Sequence, residues 1–250
     1  MQKFKNKVAV ITGGTNGMGF ATAQEFIREG ARVIITGRNE ERVNSAVAQL
    51  GDNAAGIVSD AGKMADISLL QEQVKRYTDK VDVLFVNAGY GKFASVEMVD
   101  EAHFDELFNM LVKGTFFTVQ QMLPLMGNGS SVILNTSFVT AFGIQYFSVY
   151  TAAKSAVQSF IKTFSAECTA KGIRVNGISP GHIKTNIFNN TGLTAEQIDE
   201  AVASVIPTLP FGRFGDPLEI AKTVLFLASN DASYIHGAEL LVDGGLSNVK

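Results

Sequence analysis

Three polar residues in the middle of the chain have the types and spacing of an acid–base site. Tyr150 and Lys154 lie four residues apart in SVYTAAKSAVQSFIKTFSAE, an amphipathic stretch that predicts a long helix with both side chains on one face. An ammonium about 4 Å from a phenol in a partly dry site favours the phenolate by about 4 kcal/mol, so we expect a tyrosine with a lowered pKa. Such a tyrosine would suit general acid catalysis. Ser137, thirteen residues upstream at the end of a predicted strand, could hold a carbonyl oxygen. Taken singly, each residue is more often structural.

The elements that would position these residues alternate between short β-branched runs and longer amphipathic segments. The first six runs are mostly apolar on both faces, which is typical of parallel strands covered by helices on both sides of a sheet. This pattern predicts an α/β fold with a doubly wound, seven-stranded sheet in a single domain over residues 1–250. The least regular region, at about 182–214, is expected to be a substrate lid. The predicted strands are KVAVIT, RVIIT, AAGIVS, VDVLFV, SSVILN, IRVNGIS and AELLVD.

The composition favours small-molecule chemistry. The chain has 250 residues, of which 46% are hydrophobic and 18% charged, and its formal net charge is −3. This balance gives no support to nucleic acid or an anionic membrane surface as a partner. The N-terminus lacks the pattern of a secretory signal, and no stretch approaches the ~20 apolar residues of a membrane span. We therefore expect a cytoplasmic protein whose partner is a small molecule.

Cysteine and histidine give no metal-binding pattern. Cys168 is the only cysteine, which excludes an internal disulfide, and a small buried hydrophobe is its expected role. The three histidines, His103, His182 and His236, have no ligand-like spacing, so no metal site is predicted. His182 could touch a substrate, but a solvated loop residue is the preferred interpretation.

A glycine-rich turn follows the first predicted strand and precedes a helix. In TGGTNGMG, the spacing of Gly13, Gly17 and Gly19 would let the backbone approach a pyrophosphate at the helix N-terminus. The strict dinucleotide pattern fails because Thr22 occupies the last glycine position. A tight turn without a ligand is the alternative, and the position after strand one favours the phosphate site.

The end of the second predicted strand bears on the cofactor. In IITGRNEER, Gly37 lies where a carboxylate would bond the ribose 2′-hydroxyl of NAD, and Arg38 follows it. A guanidinium would instead pair with a 2′-phosphate, so NADP(H) is favoured and NAD(H) is the second option. The alternative is that Arg38 is a solvated loop residue.

Together with Ser137, the motifs TGGTNGMG, VNAG, YTAAK and PGHIKT resemble the short-chain dehydrogenase/reductase family in its compact single-domain form, over essentially the whole chain. The resemblance implies a Rossmann fold with strand order 3-2-1-4-5-6-7 and hydride transfer between nicotinamide C4 and a carbonyl or carbinol carbon. The segment from GRFGDP to VDGG resembles the subset related to 3-oxoacyl-carrier-protein reductases and sugar or steroid dehydrogenases, which implies a homotetramer.

The resemblance also implies roles for individual residues. Tyr150 resembles the general acid/base, Lys154 the residue that lowers its pKa and bonds the nicotinamide ribose, and Ser137 the anchor of the substrate oxygen. Asp60 resembles the acid that contacts adenine. The implied cofactor contacts are Gly13, Thr15, Asn16, Gly17, Met18, Gly19, Arg38, Asp60, Asn87, Ala88, Gly89, Tyr150, Lys154, Pro180, Gly181, Ile183 and Thr185.

Apolar residues near the expected nicotinamide position point to the substrate. They favour an apolar or aromatic ketone over a phosphorylated sugar, although any one of them could be a packing residue. The predicted pocket residues are Phe138, Phe142, Tyr146, Phe147, Ile187 and Phe188.

One position departs from the family pattern. The family has an asparagine three residues before the glycine that Gly114 matches, where it supports a water-mediated proton path to the lysine; here that residue is Leu111. In an α-helix Asn109 would point about 200° away from Leu111, so it is not expected to replace the missing amide. Lys113 is expected to be a surface lysine. Because of Leu111, a dinucleotide-binding sensor or scaffold without turnover is the alternative function.

Overall fold

Seven parallel strands form a sheet in the computed structural model, which describes residues 2–185, 194, 200 and 202–249. The strand order is β3-β2-β1-β4-β5-β6-β7, and each neighbouring pair is parallel. The predicted fold class, strand number and strand order are therefore confirmed. The strands are β1 (Val8–Ile11), β2 (Arg32–Gly37), β3 (Ala54–Val58), β4 (Val83–Val86), β5 (Ser131–Asn135), β6 (Arg174–Pro180) and β7 (Glu239–Val242).

Helices cover both faces of the sheet, as parallel connections require. Short 3₁₀ turns join several elements, and one of them, Phe138–Ala141, begins directly after Ser137 in the site described below. The α-helices with both ends among the described residues are α1 (Gly17–Arg28), α2 (Glu40–Leu50), α3 (Met64–Ile67), α4 (Leu70–Lys75), α5 (Glu101–Leu107), α6 (Gly114–Met122), α7 (Ser148–Cys168) and α8 (Pro217–Ala228).

Alternate side chains of the strands build an apolar core on each face. On one face, residues such as Leu84 and Leu134 pack with α6 and α7; on the other, Phe85 and Ile133 pack with α1 and α8. Both side-chain sets are buried because helices cover both faces, which explains the uninterrupted apolar runs in the sequence. Cys168 belongs to the first core, and burial raises the pKa of its thiol.

Local sequence signals fix where two of the helices begin. Asn39 caps α2 by accepting a hydrogen bond from the Arg42 backbone N–H at 2.9 Å. At the start of α8, Asp216 and Glu219 form a reciprocal capping box with Pro217 in the first turn. These caps place the preceding loops at the carboxyl ends of the strands, where the site lies.

The segment between α5 and α6 is not α-helical. Residues Phe108–Lys113 form a π-helix, whereas α-helical spacing was expected through NMLVKGTFF. The i→i+5 hydrogen bonds of a π-helix widen the turn and change which side chains share a face, so the α-helical spacing expected for Asn109 and Leu111 does not apply.

The predicted lid lies largely outside the described residues. Its described beginning includes a parallel bridge between Ile183 and Gly215, and Ile206–Thr208 forms a 3₁₀ turn near its end. The lid and the single-domain organisation stay predictions. Across the described ranges, no helix is long and apolar enough to span a membrane.

Candidate active site

The residues singled out for chemistry gather at the carboxyl ends of the strands. Gly13 follows β1, Arg38 follows β2, Asp60 follows β3, Asn87 follows β4 and Ser137 follows β5. In an open parallel sheet these ends share one edge, and ligands bind in the crevice beyond it. The fold therefore brings together residues that lie far apart in the sequence.

Helix α7 places the predicted acid–base pair beside Ser137. The Lys154 ammonium lies 5.9 Å from the centroid of the Tyr150 ring, and it donates a hydrogen bond to the Asn135 backbone oxygen at 2.7 Å. Ser137 is buried at the start of the 3₁₀ turn after β5, where its hydroxyl accepts from the Val139 N–H at 3.5 Å and lies close enough to Tyr150 to influence the pKa of that phenol. Two hydroxyls and an ammonium thus converge on one place.

The pKa of Tyr150 is shifted in the direction opposite to the one expected from the sequence. Burial raises the pKa of Tyr150 to about 12, although the nearby Ser137 hydroxyl opposes the rise. Burial also lowers the pKa of Lys154 to about 8. The sequence argument weighed the attraction of the ammonium alone, whereas desolvation dominates for the buried Lys154 and the partly buried Tyr150. At neutral pH the pair is a neutral phenol beside an ammonium.

The glycine turn after β1 has the form of an anion cradle. Gly13 has φ = +62°, and a Cβ added to it would lie 2.9 Å from the Ala88 Cα. A Cβ added to Gly19 would lie 2.2 Å from the Gly13 oxygen, so the turn and helix meet more closely than side chains allow. The side chain of Asn16, the N-cap of α1, makes no capping hydrogen bond, which leaves the first N–H groups of α1 for an anion. These features fit a dinucleotide pyrophosphate.

Thr22, at the last glycine position of the motif, is accommodated by burial and a local hydrogen bond. Its hydroxyl donates to the Met18 backbone oxygen at 2.7 Å, and its side chain is fully buried. Met18 itself packs against the core beneath α1. The departure from strict glycine spacing therefore leaves the turn intact.

Asn87 shapes the turn through its side chain. Its amide donates to the backbone oxygens of Thr12 and Gly13 at 3.1 and 3.2 Å, and its side-chain oxygen accepts from the Asn135 amide at 3.0 Å. The Thr12 hydroxyl in turn accepts from the N–H groups of Asn87 and Ala88 at 3.0 Å each. Thr12 and Asn135 were missed in the sequence because their roles depend on pairing between strands distant in the chain.

Three residues border the end of the cradle where the adenosine of a dinucleotide is expected. Arg38 is exposed, and its guanidinium carbon lies 5.2 Å from the centroid of the Tyr90 ring. One carboxylate oxygen of Asp60 accepts from the Gly62 N–H at 2.9 Å, which fixes the side chain near α3. Thr15 packs against Gly37 at the end of β2. This end of the cradle thus presents a cation where a 2′-phosphate could bind.

The loop after β6 closes the other end of the cradle. Pro180 ends the strand, and the Gly181 N–H donates to the Val242 oxygen at 3.1 Å. Ile183 packs on the core beneath α1, and the Thr185 side chain lies against Gly17 of the glycine turn. The loop after β6, which contains the predicted nicotinamide-side residues, therefore lies against the glycine turn. Gly89 lies near Leu111 on the opposite side.

Two groups of aromatic rings flank Ser137 and Tyr150. In the first, Phe93 stacks on Phe147 with ring centroids 4.0 Å apart, and Phe93 meets Tyr150 edge-on at 5.7 Å. In the second, Phe138 lies 6.3 Å from Phe142 and 4.8 Å from His182. Phe93 was missed because nothing in its sequence position distinguishes it from a packing residue.

Four residues near the expected substrate position differ from their predictions or cannot be compared with them. His182 lies between Phe138 and Phe214, 5.3 Å from the latter ring, and burial lowers its pKa. The interpretation as a solvated loop residue was therefore wrong. Tyr146 is in the predicted region but is 59% exposed with φ = +69°. Ile187 and Phe188 lie outside the described residues.

Leu111 lies inside the molecule, and Asn109 does not replace the missing amide. Leu111 is 1% exposed and packs with Val149 and Ala153 of α7 beside Tyr150. The Asn109 side chain accepts a hydrogen bond from the exposed Lys113 ammonium at 2.6 Å. In the described part of the chain, no group of three or more metal-ligating side chains could hold a metal ion.

Comparisons with known proteins agree with this arrangement. A family model described as enoyl-(acyl carrier protein) reductase matches residues 13–247. The oxidoreductase asL5 of Sarocladium schorii is 37% identical, with 100% of this chain and 99% of that protein covered. The 3alpha-hydroxysteroid dehydrogenase of Mediterraneibacter gnavus is 35% identical, with 96% of each covered. A crystal structure of a short-chain dehydrogenase/reductase, titled glucose/ribitol dehydrogenase, from Brucella melitensis superposes with a TM-score of 0.90 at 28% identity and covers 98% of each chain.

The parallel sheet, the glycine cradle and the pair of a partly buried tyrosine and a buried lysine define an oxidoreductase that uses a nicotinamide dinucleotide. The extent of the family match and of the relatives makes the assignment specific. The chain belongs to the short-chain dehydrogenase/reductase family. Relatives named as oxidoreductases and dehydrogenases favour an enzyme over a non-catalytic sensor.

Proposed function

We propose that the protein is an NADPH-dependent carbonyl reductase, or an alcohol dehydrogenase in the reverse direction, for an apolar or aromatic ketone or secondary alcohol. The main supporting observation is the convergence of the Ser137 and Tyr150 hydroxyls with the Lys154 ammonium behind them. A carbonyl oxygen that gains a hydride at its carbon needs a hydrogen-bond donor and a proton, and these two hydroxyls supply both.

Each residue has a separate task in this mechanism. When bound, the cofactor supplies the hydride. Ser137 donates a hydrogen bond that orients the substrate oxygen, and Tyr150, kept protonated by its raised pKa, gives its proton to that oxygen. Lys154, held by the Asn135 backbone oxygen, then stabilises the phenolate. The buried setting strengthens this attraction because little water screens it.

The residues at the adenosine end support NADP(H) as the cofactor. Arg38 follows Gly37 at the end of β2, so this position has a cation and no carboxylate. We expect Arg38→Asp to raise the Michaelis constant for NADPH much more than that for NADH. Equal effects on the two constants would refute the preference.

The aromatic groups support the proposed substrate class. Phe93 and Phe147 on one side and Phe138 with His182 on the other offer flat apolar surfaces to a ring-bearing ketone. One relative is named as a 3alpha-hydroxysteroid dehydrogenase, and a hydroxysteroid is a ring-bearing secondary alcohol. The predicted contacts at Ile187 and Phe188 stay predictions.

A steady-state panel of cyclic and aryl ketones, run with NADPH and NADH, tests the proposal. The panel should include an α,β-unsaturated ketone, because the matching family model is described as an enoyl reductase. Formation of the allylic alcohol supports carbonyl reduction, whereas formation of the saturated ketone supports reduction of the double bond. If cofactor binds but no substrate is reduced at any pH, the sensor or scaffold function is correct.

We also propose that the protein forms a homotetramer and works in the cytoplasm. Partly exposed Phe104 and Phe116 on α5 and α6, and Leu240 and Leu241 on the edge strand β7, are apolar surfaces suited to subunit contacts. Light scattering after size-exclusion chromatography measures the assembly directly. A monomer at micromolar concentration would contradict the tetramer.

A further inference from the structure

Arg38 has no carboxylate partner among the described residues, but it contacts an aromatic ring. Its guanidinium carbon lies 5.2 Å from the centroid of Tyr90, within the ~6 Å range of a cation–π contact. Arg38 is exposed, so without this contact its long side chain would keep much of its rotamer freedom until a phosphate bound.

The Tyr90 ring is itself fixed from two directions. Its hydroxyl donates a hydrogen bond to one carboxylate oxygen of Glu106 in α5, and the ring packs against the small apolar cluster that includes Leu107. The Lys92 ammonium donates to the other Glu106 oxygen at 2.6 Å. The Tyr90 ring is thus held in place, whereas the Arg38 side chain would be mobile without it.

The charges of this group leave the guanidinium available. Hydrogen bonds from Lys92 and Tyr90 lower the pKa of Glu106, so it is a carboxylate at neutral pH, and Lys92 balances its charge. Burial and the hydrogen bond to Glu106 raise the pKa of Tyr90, which therefore stays a neutral phenol. The ring face attracts the cation, and Glu106 pairs with Lys92 and not with Arg38, so no carboxylate among the described residues occupies the guanidinium.

The order of the strands places the contact between Arg38 and Tyr90 across the glycine turn after β1. Arg38 follows β2 and Tyr90 lies beyond β4, and these two strands flank β1 in the sheet. The contact therefore spans the glycine turn after β1. We propose that Tyr90 is a positioning residue that holds Arg38 over this turn and so sets the preference for a cofactor with an adenosine 2′-phosphate. The inference rests on the proposed use of NADP(H).

Replacing the ring should weaken the binding of one cofactor selectively. Tyr90→Leu should raise the Kd for NADPH about twofold to tenfold, the range expected for loss of a cation–π contact, and should leave the Kd for NADH unchanged. Tyr90→Phe keeps the ring face and should restore most of the NADPH affinity. A role in packing alone would weaken both cofactors equally.

The test measures direct binding to the full-length protein without substrate. Nucleotide fluorescence gives the Kd values for NADPH and NADH in the wild type, Tyr90→Leu, Tyr90→Phe and Arg38→Met. Tyr77→Leu is the matched control, because Tyr77 is a partly exposed tyrosine just after α4, next to the amino ends of the strands. We expect its two Kd values to equal those of the wild type.

The outcomes separate the inference from the function on which it rests. If Arg38→Met reduces the NADPH/NADH preference and Tyr90→Leu does not, the positioning role of Tyr90 is wrong and the proposed cofactor preference survives. If the wild type shows no preference and Arg38→Met changes nothing, the cofactor preference is wrong and the inference fails with it. Equal losses for both cofactors in Tyr90→Leu would also overturn the inference.

Discussion

Two helical segments pack against each other beside Tyr150, and they differ in regularity. Helix α7, Ser148–Cys168, is α-helical throughout its 21 residues. The other segment passes from α5 through the π-helix Phe108–Lys113 into α6. They meet in a small apolar cluster to which both segments contribute, with Leu107 and Leu111 from one and Val149 and Ala153 from the other.

The difference in regularity corresponds to a difference in role, since α7 carries the proposed catalytic residues and the π-helical segment supports them. On α7, regular geometry places Tyr150 and Lys154 one turn apart, so both act at one point. The π-helical turn instead changes the helix face and brings the backbone at Gly114 against Ala61, where an added Cβ would lie 2.2 Å from the Ala61 oxygen. It therefore links the adenosine end of the site, next to Asp60, with the surroundings of Tyr150.

The largest expected effect comes from removing the acid on α7. Tyr150→Phe deletes the proton donor but keeps the ring that packs near Phe93, so turnover should fall by about 100-fold to 10,000-fold with cofactor affinity unchanged. Steady-state kinetics and cofactor titration measure both quantities. Tyr234→Phe, at a fully exposed tyrosine, is the control. Wild-type turnover in Tyr150→Phe would show that α7 does not carry the acid.

The second effect is a pH dependence of stability caused by Lys154. Burial lowers its pKa from 10.5 to about 8, so between these values the unfolded chain binds more protons than the folded one. The contribution of Lys154 to the free energy of unfolding is therefore constant below pH 8 and rises by about 1.4 kcal/mol per pH unit above it, up to pH 10.5.

Denaturant unfolding of the wild type and Lys154→Met from pH 7 to 10 measures this effect. The difference in unfolding free energy should move in favour of the wild type above pH 8. Lys113→Met, at an exposed ammonium on the irregular segment, is the matched control. If the difference in unfolding free energy between the wild type and Lys154→Met does not change with pH, burial does not destabilise the Lys154 ammonium.

The contrast between the segments also explains what the sequence could predict. The strands were predictable because Val- and Ile-rich runs are buried on both faces, and the Tyr150–Lys154 spacing was predictable because α7 is regular. The strand order came from the family resemblance. The π-helix was not predictable because the apolar pattern of NMLVKGTFF is compatible with either helical period.

The electrostatics of the site were missed for a different reason. The raised pKa of Tyr150 depends on how deeply it is buried, and rings such as Phe93 reach it from a separate loop. His182 was assigned to solvent because Phe214 is distant in the sequence and close in space. Burial of a titratable group depends on tertiary contacts, and these cannot be predicted from the spacing of residues along the sequence.

The smallest expected effect tests whether the irregular segment limits catalysis. Leu111→Asn would restore the amide that the family has at this position, close to Tyr150. We expect unchanged cofactor affinity and a rise in turnover of about twofold to tenfold, as one additional hydrogen bond in a proton path would give. Because Leu111 is 1% exposed, an amide there should also lower the free energy of unfolding by about 1–3 kcal/mol unless it finds partners.

Leu111→Met separates the amide from a change of shape, since it keeps an apolar side chain of similar volume. Its turnover should not rise. If Leu111→Asn also leaves turnover unchanged, the proton path does not limit this enzyme. The hydrogen bond of 2.7 Å from the Lys154 ammonium to the Asn135 backbone oxygen would then explain how the ammonium is held without that amide. A rise in both variants would instead trace the effect to repacking of the apolar cluster between the two segments.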